Sequence, residues 1–379
     1  MSPNESIEII PVNNRSRLNR FINLPWALYR EDPHWVPPLK LERKLHLASN
    51  NPYFQHCRWQ AWLAVKNGRD AGRISAQVDQ LHLTTHNDDT GFFGLLESVD
   101  DAAVFQRLTE TAATWLRAAG MNKIRGPFNL SINQESGLLV EGFDSAPRIL
   151  MGHALPYYGQ RLDELGFRKA KDLLSFEIDS QFTSPRAMQA IADKTSSIIG
   201  LRPLNRKNKK QDFKLLCDIF NDAWSENWGF VPFTDSEFED IGNTLAFVLP
   251  DDFIQIASVR GEAAGMIVML PDLNQILRKI NGRLLPFGAL KLLWLLKFRP
   301  PNHARIPLMG IRKQYRTSFI GTALAHQLIA ALRTPALRTG IKRVELSWVL
   351  EDNYNLIEII QALGGHMNKR YRVFEKPLF

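Results

Sequence analysis

The sequence predicts an α/β fold (α+β, around a mixed sheet) built as two tandem units of one kind. Three observations carry that expectation. First, two hairpin signals stand far apart. WQAWLAVKNGRDAGRISAQVD, Trp59 to Asp79, turns at Asn67–Gly68, and FIQIASVRGEAAGMIVML, Phe253 to Leu270, turns near Gly261. Second, each hairpin is followed by further apolar runs, an amphipathic helix and another strand-like run. Third, each series closes on a helix ending in Leu-Gly and then a strand: YGQRLDELGF before LLSFEI, and NYNLIEIIQALGG before YRVFEK. The same order of elements met twice reads as a tandem repeat.

The bulk properties agree. A chain of 379 residues is long for one core and suits two. With 45% hydrophobic and 23% charged residues it is a folded globular protein, not a disordered one. The expected division is residues 1–180 for the first unit, 181–200 for a linker carrying Ser, Thr, a Pro and a short helical stretch, and 201–379 for the second unit. The first fifty residues, rich in Pro and Trp, read as an irregular arm on the first unit. Cys57 and Cys217 fall in different units and in no metal-ligand spacing, so both are expected to be free thiols in a reducing compartment, and no metal site is expected. The start, MSPNESIEIIPV, shows no basic residue leading an apolar run, so no signal peptide is expected. The expected location is cytoplasmic, with peripheral contact at the inner membrane as its variant.

Net charge is +8, unevenly spread. From Leu273 to Val344 there is no Asp or Glu, while Lys and Arg recur throughout. The positive field is therefore local and suits an anionic partner rather than a general surface role.

Within that stretch lies RIPLMGIRKQYRTSFIGTALAHQLIAAL, Arg305 to Leu332. An apolar strand-like run, Ile306 to Ile311, leads into a polar turn, Arg312 to Ser318. A helix then starts near Phe319 with Leu324, Leu328, Ile329 and Leu332 at helical spacing. A strand giving way to a helix N-terminus presents free backbone N–H groups and the positive end of a helix dipole, which is how proteins hold a diphosphate. Arg312, Lys313 and Arg316 strengthen the attraction.

Arg316-Thr-Ser-Phe-Ile-Gly321 resembles the pyrophosphate loop of the GCN5-related N-acyltransferases (GNAT), whose pattern is Arg or Gln, two residues, Gly, one residue, Gly or Ala. Gly321 matches the second small residue, and Phe319 departs from the first. VELSWVLEDN, Val344 to Asn353, resembles the fifth strand of that family with the Asn that follows it, and Leu363 to Gly365 sits where its next helix ends. The resemblance implies two GNAT-like units, the second binding acyl-CoA as co-substrate through Gly310, Ile311, Arg312, Lys313, Arg316, Thr317, Ser318, Phe319, Ile320, Gly321, Thr322 and Asn353, with no permanently bound cofactor. It also implies that a backbone N–H near Gly310 or Ile311 polarises the thioester carbonyl. The family's usual Tyr, a proton donor to the departing thiolate, aligns with Ile360; Tyr354 is a more distant substitute.

The first unit differs at the equivalent place. VDDAAVFQRLTETAATW begins its helix with Asp100 and Asp101, carboxylates that cap a helix and repel a phosphate. No CoA is expected there, and the unit is expected to shape an acceptor pocket. For the proton-transfer groups that removal of an amine proton requires, the long, weakly periodic segment FNLSINQESGLLVEGFDSAPRILMGHALPYYGQ offers Glu135, His153, Tyr157 and Tyr158. Glu135, His153 and Tyr157 are the catalytic candidates, ahead of Glu97, Glu351 and Asp352. A surface or capping role competes for each. Trp224, Trp228 and Phe230, in WSENWGFVPF, suit either an acceptor pocket or plain core.

Between the second hairpin and the turn lies an insertion, ILRKINGRLLPFGALKLLWLLKFRPPNH, Ile276 to His303. Leu284 to Phe298 holds only Lys291 and Lys297 as charges and is too short to span a bilayer, which takes about twenty apolar residues. It suits a helix in a membrane interface or a lid, with an internal core helix as the alternative.

Length, tandem order, WVLEDN and the FNLSINQESGLLVEGF segment resemble a bacterial GNAT-like group that includes the ceramide synthases, which N-acylate a long-chain sphingoid base. That resemblance implies amide formation from acyl-CoA on a primary amine, here a lipid amine. The expected partners are acyl-CoA, the amine, an acyl carrier protein as an alternative donor, and an anionic membrane, but not DNA. Two other readings stay open: a degenerate GNAT-like module that binds lipid or protein, and an aminoacyl-tRNA-dependent transferase.

Overall fold

The computed structural model of the protein describes residues 6–183, 186–195, 197–246 and 249–379. Ser184, Pro185 and Ser196 of the expected linker lie outside the described residues. The strands, numbered in chain order, are β1 Ile7–Pro11, β2 Cys57–Lys66, β3 Arg69–Asp79, β4 Thr90–Ser98, β5 Lys123–Gly126, β6 Phe128–Asn129, β7 Glu135–Ser136, β8 Leu138–Glu141, β9 Arg168–Asp179, β10 Ile199–Pro203, β11 Ile254–Val259, β12 Glu262–Pro271, β13 His303–Ile311, β14 Arg343–Leu350 and β15 His366–Pro377.

The chain divides into two compact units. One comprises Met1–Leu173, Leu277–Leu292 and Lys369–Phe379; the other comprises Leu174–Ile276 and Leu293–Asn368. This departs from the contiguous halves read from the sequence. The end of β15 belongs to the first unit because Phe374 to Pro377 pair antiparallel with Gly126 to Lys123 of β5. Such long-range pairing leaves no local sequence signal.

In the first unit, β1 to β4 pair in succession as antiparallel neighbours, and β5 then joins β4 in parallel. The second unit repeats this: β10 to β13 are antiparallel in succession, and β14 joins β13 in parallel. The two units thus share one topology, as the recurring pattern predicted. The crossovers are also alike, a helix at Ala102–Ala118 in one and at Phe319–Arg338 in the other. A parallel neighbour demands a crossover of this kind.

Both hairpin turns fall where the sequence placed them. Asn67 and Gly68 have φ of 52° and 75°, and Arg260 and Gly261 have 51° and 89°. Two consecutive left-handed residues match the right-handed twist of the strands. The first fifty residues are more ordered than the expected arm. They supply edge strand β1 and a helix, Arg15–Asn23, capped by the Asn14 side chain, which accepts from the Arg17 N–H at 2.9 Å. Phe21 and Ile22 of that helix pack with Tyr53, Leu63, Leu95 and Leu130 in the first unit's core. The core of the second unit lies between its sheet and the Phe319–Arg338 helix, around Ile267, Ala304, Leu324 and Leu328. In the expected linker, a helix at Arg186–Thr195 precedes β10.

The start of the insertion packs within the first unit. Lys40 N–H donates to the Gly282 carbonyl at 3.1 Å, and the Trp26 indole donates to the Asn281 side-chain oxygen at 3.1 Å. A Cβ on Gly282 would lie 2.3 Å from the Pro38 carbonyl oxygen, so only glycine permits this approach.

Asp172 secures the C-terminal strand. Its buried carboxylate accepts from Arg372 at 2.8 and 3.0 Å and from Arg370 at 3.1 Å. Burial pushes its carboxyl up, but the Arg372 and Arg370 guanidiniums outweigh that and hold it below the usual carboxylate range. The stabilisation is therefore complete above the unfolded value and is lost as pH falls through the lowered folded one. Asp172→Ala is expected to destabilise the protein by about 2 kcal/mol, under the usual figure for a broken buried pair because both guanidiniums are partly exposed. Urea unfolding at neutral pH and again near pH 3 measures this, and the gap between variant and parent should narrow in acid.

Candidate functional site

In the second unit the pairing of β13 with β14 runs only from His303↔Arg343 to Ile306↔Leu346. Beyond it, β13 continues to Ile311 beside β12, with Met266 opposite Gly310 and Gly265 opposite Ile311. Two parallel strands that part in this way leave backbone groups of β13 without a ladder partner on the β14 side, a place where an extended ligand can add as a strand. Gly310 is where the strand meets the Lys209–Trp224 helix. A Cβ there would lie 2.3 Å from the Trp224 ring, so glycine is required for the strand to pass. Trp224 itself stacks on Phe220, with ring centroids 4.7 Å apart. Phe230 is buried and Trp228 half-buried. Ile311 is half-buried against the unit's core.

The turn after β13 spans Arg312 to Ser318 as the sequence placed it, and it is itself folded. Lys313–Arg316 forms a helical turn, and the long helix begins at Phe319 with Ser318 as its cap. The Ser318 hydroxyl oxygen accepts from Gly321 N–H at 3.2 Å and donates its own proton to the Tyr315 carbonyl at 2.7 Å. Thr322 N–H donates to the Ser318 carbonyl at 3.3 Å. Gly321 is buried so closely that a Cβ would lie 2.2 Å from the Tyr315 carbonyl oxygen. Phe319 does not close the bend; its side chain is 64% exposed. Ile320 packs into the core, and Thr317 ends the short helical turn.

The three cations expected to stand free meet carboxylates instead. Arg312 pairs with Asp218 and also donates to the Ala263 carbonyl at 2.8 Å. Arg316 lies 3.3 Å from Glu226 and also donates to the Ala223 carbonyl. Lys313 is 3.9 Å from Glu226, and its backbone N–H donates to the Asp222 carboxylate at 2.9 Å. A carboxylate on a backbone N–H at the end of a strand occupies the kind of position a phosphate oxygen takes. Asn353, expected beside the ligand, is the exposed cap of the Tyr354–Ala362 helix and accepts from Leu356 N–H at 3.3 Å. Ile360 is buried with Leu174, Phe176 and Val349, so that helix offers no proton donor at the expected place. Tyr354 is 68% exposed.

The sequence reading overlooked a buried network at the foot of the parting strands. Arg305 and Glu345 are register partners on β13 and β14. Arg305 Nε donates to the Ser347 hydroxyl at 2.8 Å, that hydroxyl donates to Glu345 at 2.7 Å, and Asn368 donates to the other Glu345 oxygen at 3.1 Å. Glu345 inside the apolar run VELSWVL and Arg305 at the border of the run Ile306 to Ile311 were the available signal.

In the first unit β4 and β5 part at the same stage, after Phe92↔Arg125. Here the chain fills its own gap. The β6–β7 pair folds over β4 so closely that a Cβ on Gly94 would lie 1.8 Å from the Phe128 carbonyl oxygen. Leu95, with φ of 48°, has its N–H taken by the Asn129 side-chain oxygen at 2.8 Å. Gln77 donates to the Phe128 and Leu130 carbonyls at 2.8 and 2.9 Å. Asp101 caps the following helix through Ala103 and Val104 N–H at 2.9 and 3.2 Å and pairs with Lys66 at 2.6 Å, as the acidic start predicted.

The catalytic candidates occupy three neighbourhoods of this unit. Glu135 accepts from Arg43 and from Asn129, each at 3.0 Å. Burial pushes its carboxyl up, but Arg43 and Asn129 hold it below the usual range, so it stays ionised with its oxygens engaged. His153 Nε2 lies 2.7 Å from Asp32, and its Nδ1 is buried with no hydrogen-bond partner among the described residues. Burial lowers the His153 pKa, against the pull of Asp32. At neutral pH the ring is therefore neutral, with Nε2–H assigned toward Asp32 and the Nδ1 lone pair open. The Tyr157 hydroxyl donates to the Ser98 carbonyl at 2.7 Å, and burial pushes its pKa up to about 12. Tyr158, also weighed from the sequence, is wholly buried and donates to Glu97 at 2.9 Å; Tyr29 donates to the same Glu97 oxygen at 2.6 Å. Arg73 stands 3.6 Å from the other oxygen. Asp32, Arg43 and Arg73 were not singled out from the sequence, since nothing local distinguishes them from surface charges.

No family model matches the chain. It is 43% identical over 366 residues to Protein YghO of Escherichia coli (strain K12), covering 96% of this chain and 94% of that one. It is also 43% identical over 380 residues to the bacterial ceramide synthase of Caulobacter vibrioides, covering 100% and 99%. The chain belongs to the bacterial ceramide synthase family. Among solved structures, a tandem GNAT protein from the clavulanic acid biosynthesis pathway matches 99% of each chain with a TM-score of 0.56 at 11% identity. A GCN5-related N-acetyltransferase from Sphaerobacter thermophilus matches 98% of this chain and 96% of its own with a TM-score of 0.52 at 12% identity. At such identities these likenesses concern the fold, and they agree with the repeated topology: this member of the ceramide synthase family has a tandem GNAT fold.

Proposed function

We propose that this protein transfers an acyl group from acyl-CoA to the primary amine of a long-chain lipid base, forming an amide. The observation that carries this reading is the full-length similarity to a bacterial ceramide synthase. The parting of β13 and β14 supports it, since it suits a thioester. The start of the Phe319–Arg338 helix is the place proposed for the diphosphate, whose binding there would compete with the Ser318 side chain for the Gly321 N–H. In that reading the ligand's phosphates displace Asp218, Asp222 and Glu226 from Arg312, Lys313 and Arg316. Gly310, Ile311, Thr317, Phe319, Ile320 and Asn353 complete the proposed donor site.

The chemistry requires an ammonium to lose a proton, the amine nitrogen to attack the thioester carbonyl and lose a second proton, and the C–S bond to break with that second proton passing to the departing thiolate. His153 is the proposed base, because it is neutral, oriented by Asp32 and has no hydrogen-bond partner at its buried Nδ1 among the described residues. Tyr157 stays protonated and is proposed as a hydrogen-bond donor, while Glu135, with its oxygens engaged, is proposed to position Asn129 and Arg43.

The test incubates purified protein with palmitoyl-CoA, acetyl-CoA or an acyl carrier protein charged with palmitate, each against sphinganine and short polar amines. Amide is read by mass spectrometry. Palmitoyl amide of sphinganine is the expected product; amide on polar amines alone, or none with any donor, overturns the reading. His153→Asn is expected to lower turnover by roughly a hundredfold or more at an unchanged acyl-CoA dissociation constant, the usual scale of a lost base. A variant within threefold of the parent removes His153 from that role.

A further inference from the structure

The insertion helix Gly288–Phe298 faces solvent with apolar side chains. Phe287, in the turn that leads into it, and Leu290, Trp294 and Phe298 on it are 73%, 66%, 51% and 59% exposed. Their spacing of three, four and four residues puts them on one stripe of a helix. Leu285, 82% exposed, precedes them in the turn, and Leu293, 60% exposed, borders the stripe. The opposite side is the anchored one, with Leu295 buried and Leu292 half-buried. A globular helix normally arranges the reverse, with charge outward.

The charges that are present are all of one sign. Lys291 and Lys297 flank the stripe, and Arg283 and Arg299 stand exposed at its two ends. No acidic residue occurs from Leu273 to Val344. The helix has eleven residues, and among the described residues no helix is long and apolar enough to cross a membrane. At about 1.5 Å per residue its length is about half a bilayer's hydrocarbon thickness, so it can lie in the interface but not span it.

We propose that this face docks on an anionic bilayer, with Phe287, Leu290, Trp294 and Phe298 entering the headgroup–acyl boundary and the flanking cations meeting lipid phosphates. This deepens the lipid-amine reading and rests on it for its biological sense. The exposed stripe and its cations are independent of that reading. A second copy of the chain is the competing occupant, but a helix whose own charges, Lys291 and Lys297, with Arg283 and Arg299 at its ends, are all positive favours an anionic surface over a like-charged copy of itself.

The test is co-sedimentation of the full-length protein with vesicles, without acyl-CoA or amine. Vesicles of phosphatidylcholine with phosphatidylglycerol are compared with phosphatidylcholine alone, at low and high salt. Binding to the anionic vesicles is expected, weakening with salt. The variant F287S/L290S/W294S changes only exposed side chains and is expected to bind at least about tenfold more weakly. K291E/K297E is expected to lose the preference for anionic lipid. Equal binding by parent and serine variant overturns the proposal. So does absence of parent binding, or a parent dimer that the serine variant dissociates while vesicle binding is unchanged. Because no turnover is measured, failure here leaves the amide assay to judge the reaction independently.

Discussion

Glu97→Ala is expected to destabilise the protein by about 3 kcal/mol, read as a lowered urea midpoint at unchanged slope. Glu97 accepts from the Tyr29 and Tyr158 hydroxyls and lies beside the buried Arg73. Removing it leaves a guanidinium without its countercharge and two buried hydroxyls without their acceptor. Burial holds the Glu97 carboxyl above its ordinary range, against Arg73 and the two tyrosines. Its protonated form is therefore favoured in the folded state, a contribution present in acid and lost as pH rises through the raised value. Glu97→Gln keeps an acceptor for both tyrosines and is expected to lose less than half as much. An alanine variant within about 0.5 kcal/mol of the parent, the range of an ordinary surface change, contradicts this account of the cluster.

The second large effect belongs to the other unit. Gly321→Val puts a side chain into the Tyr315 carbonyl, where even a Cβ would lie at 2.2 Å. The Lys313–Arg316 turn must move away from the helix start, at about 1–3 kcal/mol. If that bend is where the diphosphate binds, acyl-CoA affinity falls by roughly ten- to a hundredfold by calorimetry. Gly340→Ala is the control. It has φ of 81° but nothing within 4 Å of its added Cβ, so it is expected to alter stability without altering affinity. Unchanged affinity in Gly321→Val places the diphosphate elsewhere.

The parts of this architecture legible in the sequence were those with local causes. Asn-Gly at 67–68 and Arg-Gly at 260–261 need left-handed backbone, and they announced the two hairpins. Asp101 announced a helix start because a side-chain oxygen two or three residues before otherwise unsatisfied N–H groups has one obvious use. The candidate site was less legible. Arg312, Lys313 and Arg316 read as free cations, yet Asp218, Asp222 and Glu226 reach them from about ninety residues earlier. Asn353 matched a motif and serves as a helix cap.

By itself the sequence determined the element order, its repetition, the strand–turn–helix at Arg305–Leu332 and the acidic helix start that distinguishes the first unit. Each depends on residues a few positions apart, where periodicity, capping and turn chemistry act. Only the tertiary structure decided that Asn129 fills the first unit's parted strands and that β15 pairs with β5. It also decided that His153 meets Asp32, and that the apolar stripe of Gly288–Phe298 faces outward. Those outcomes are set by which distant segments share a surface, and burial and charge pairing at long range leave no mark in local sequence.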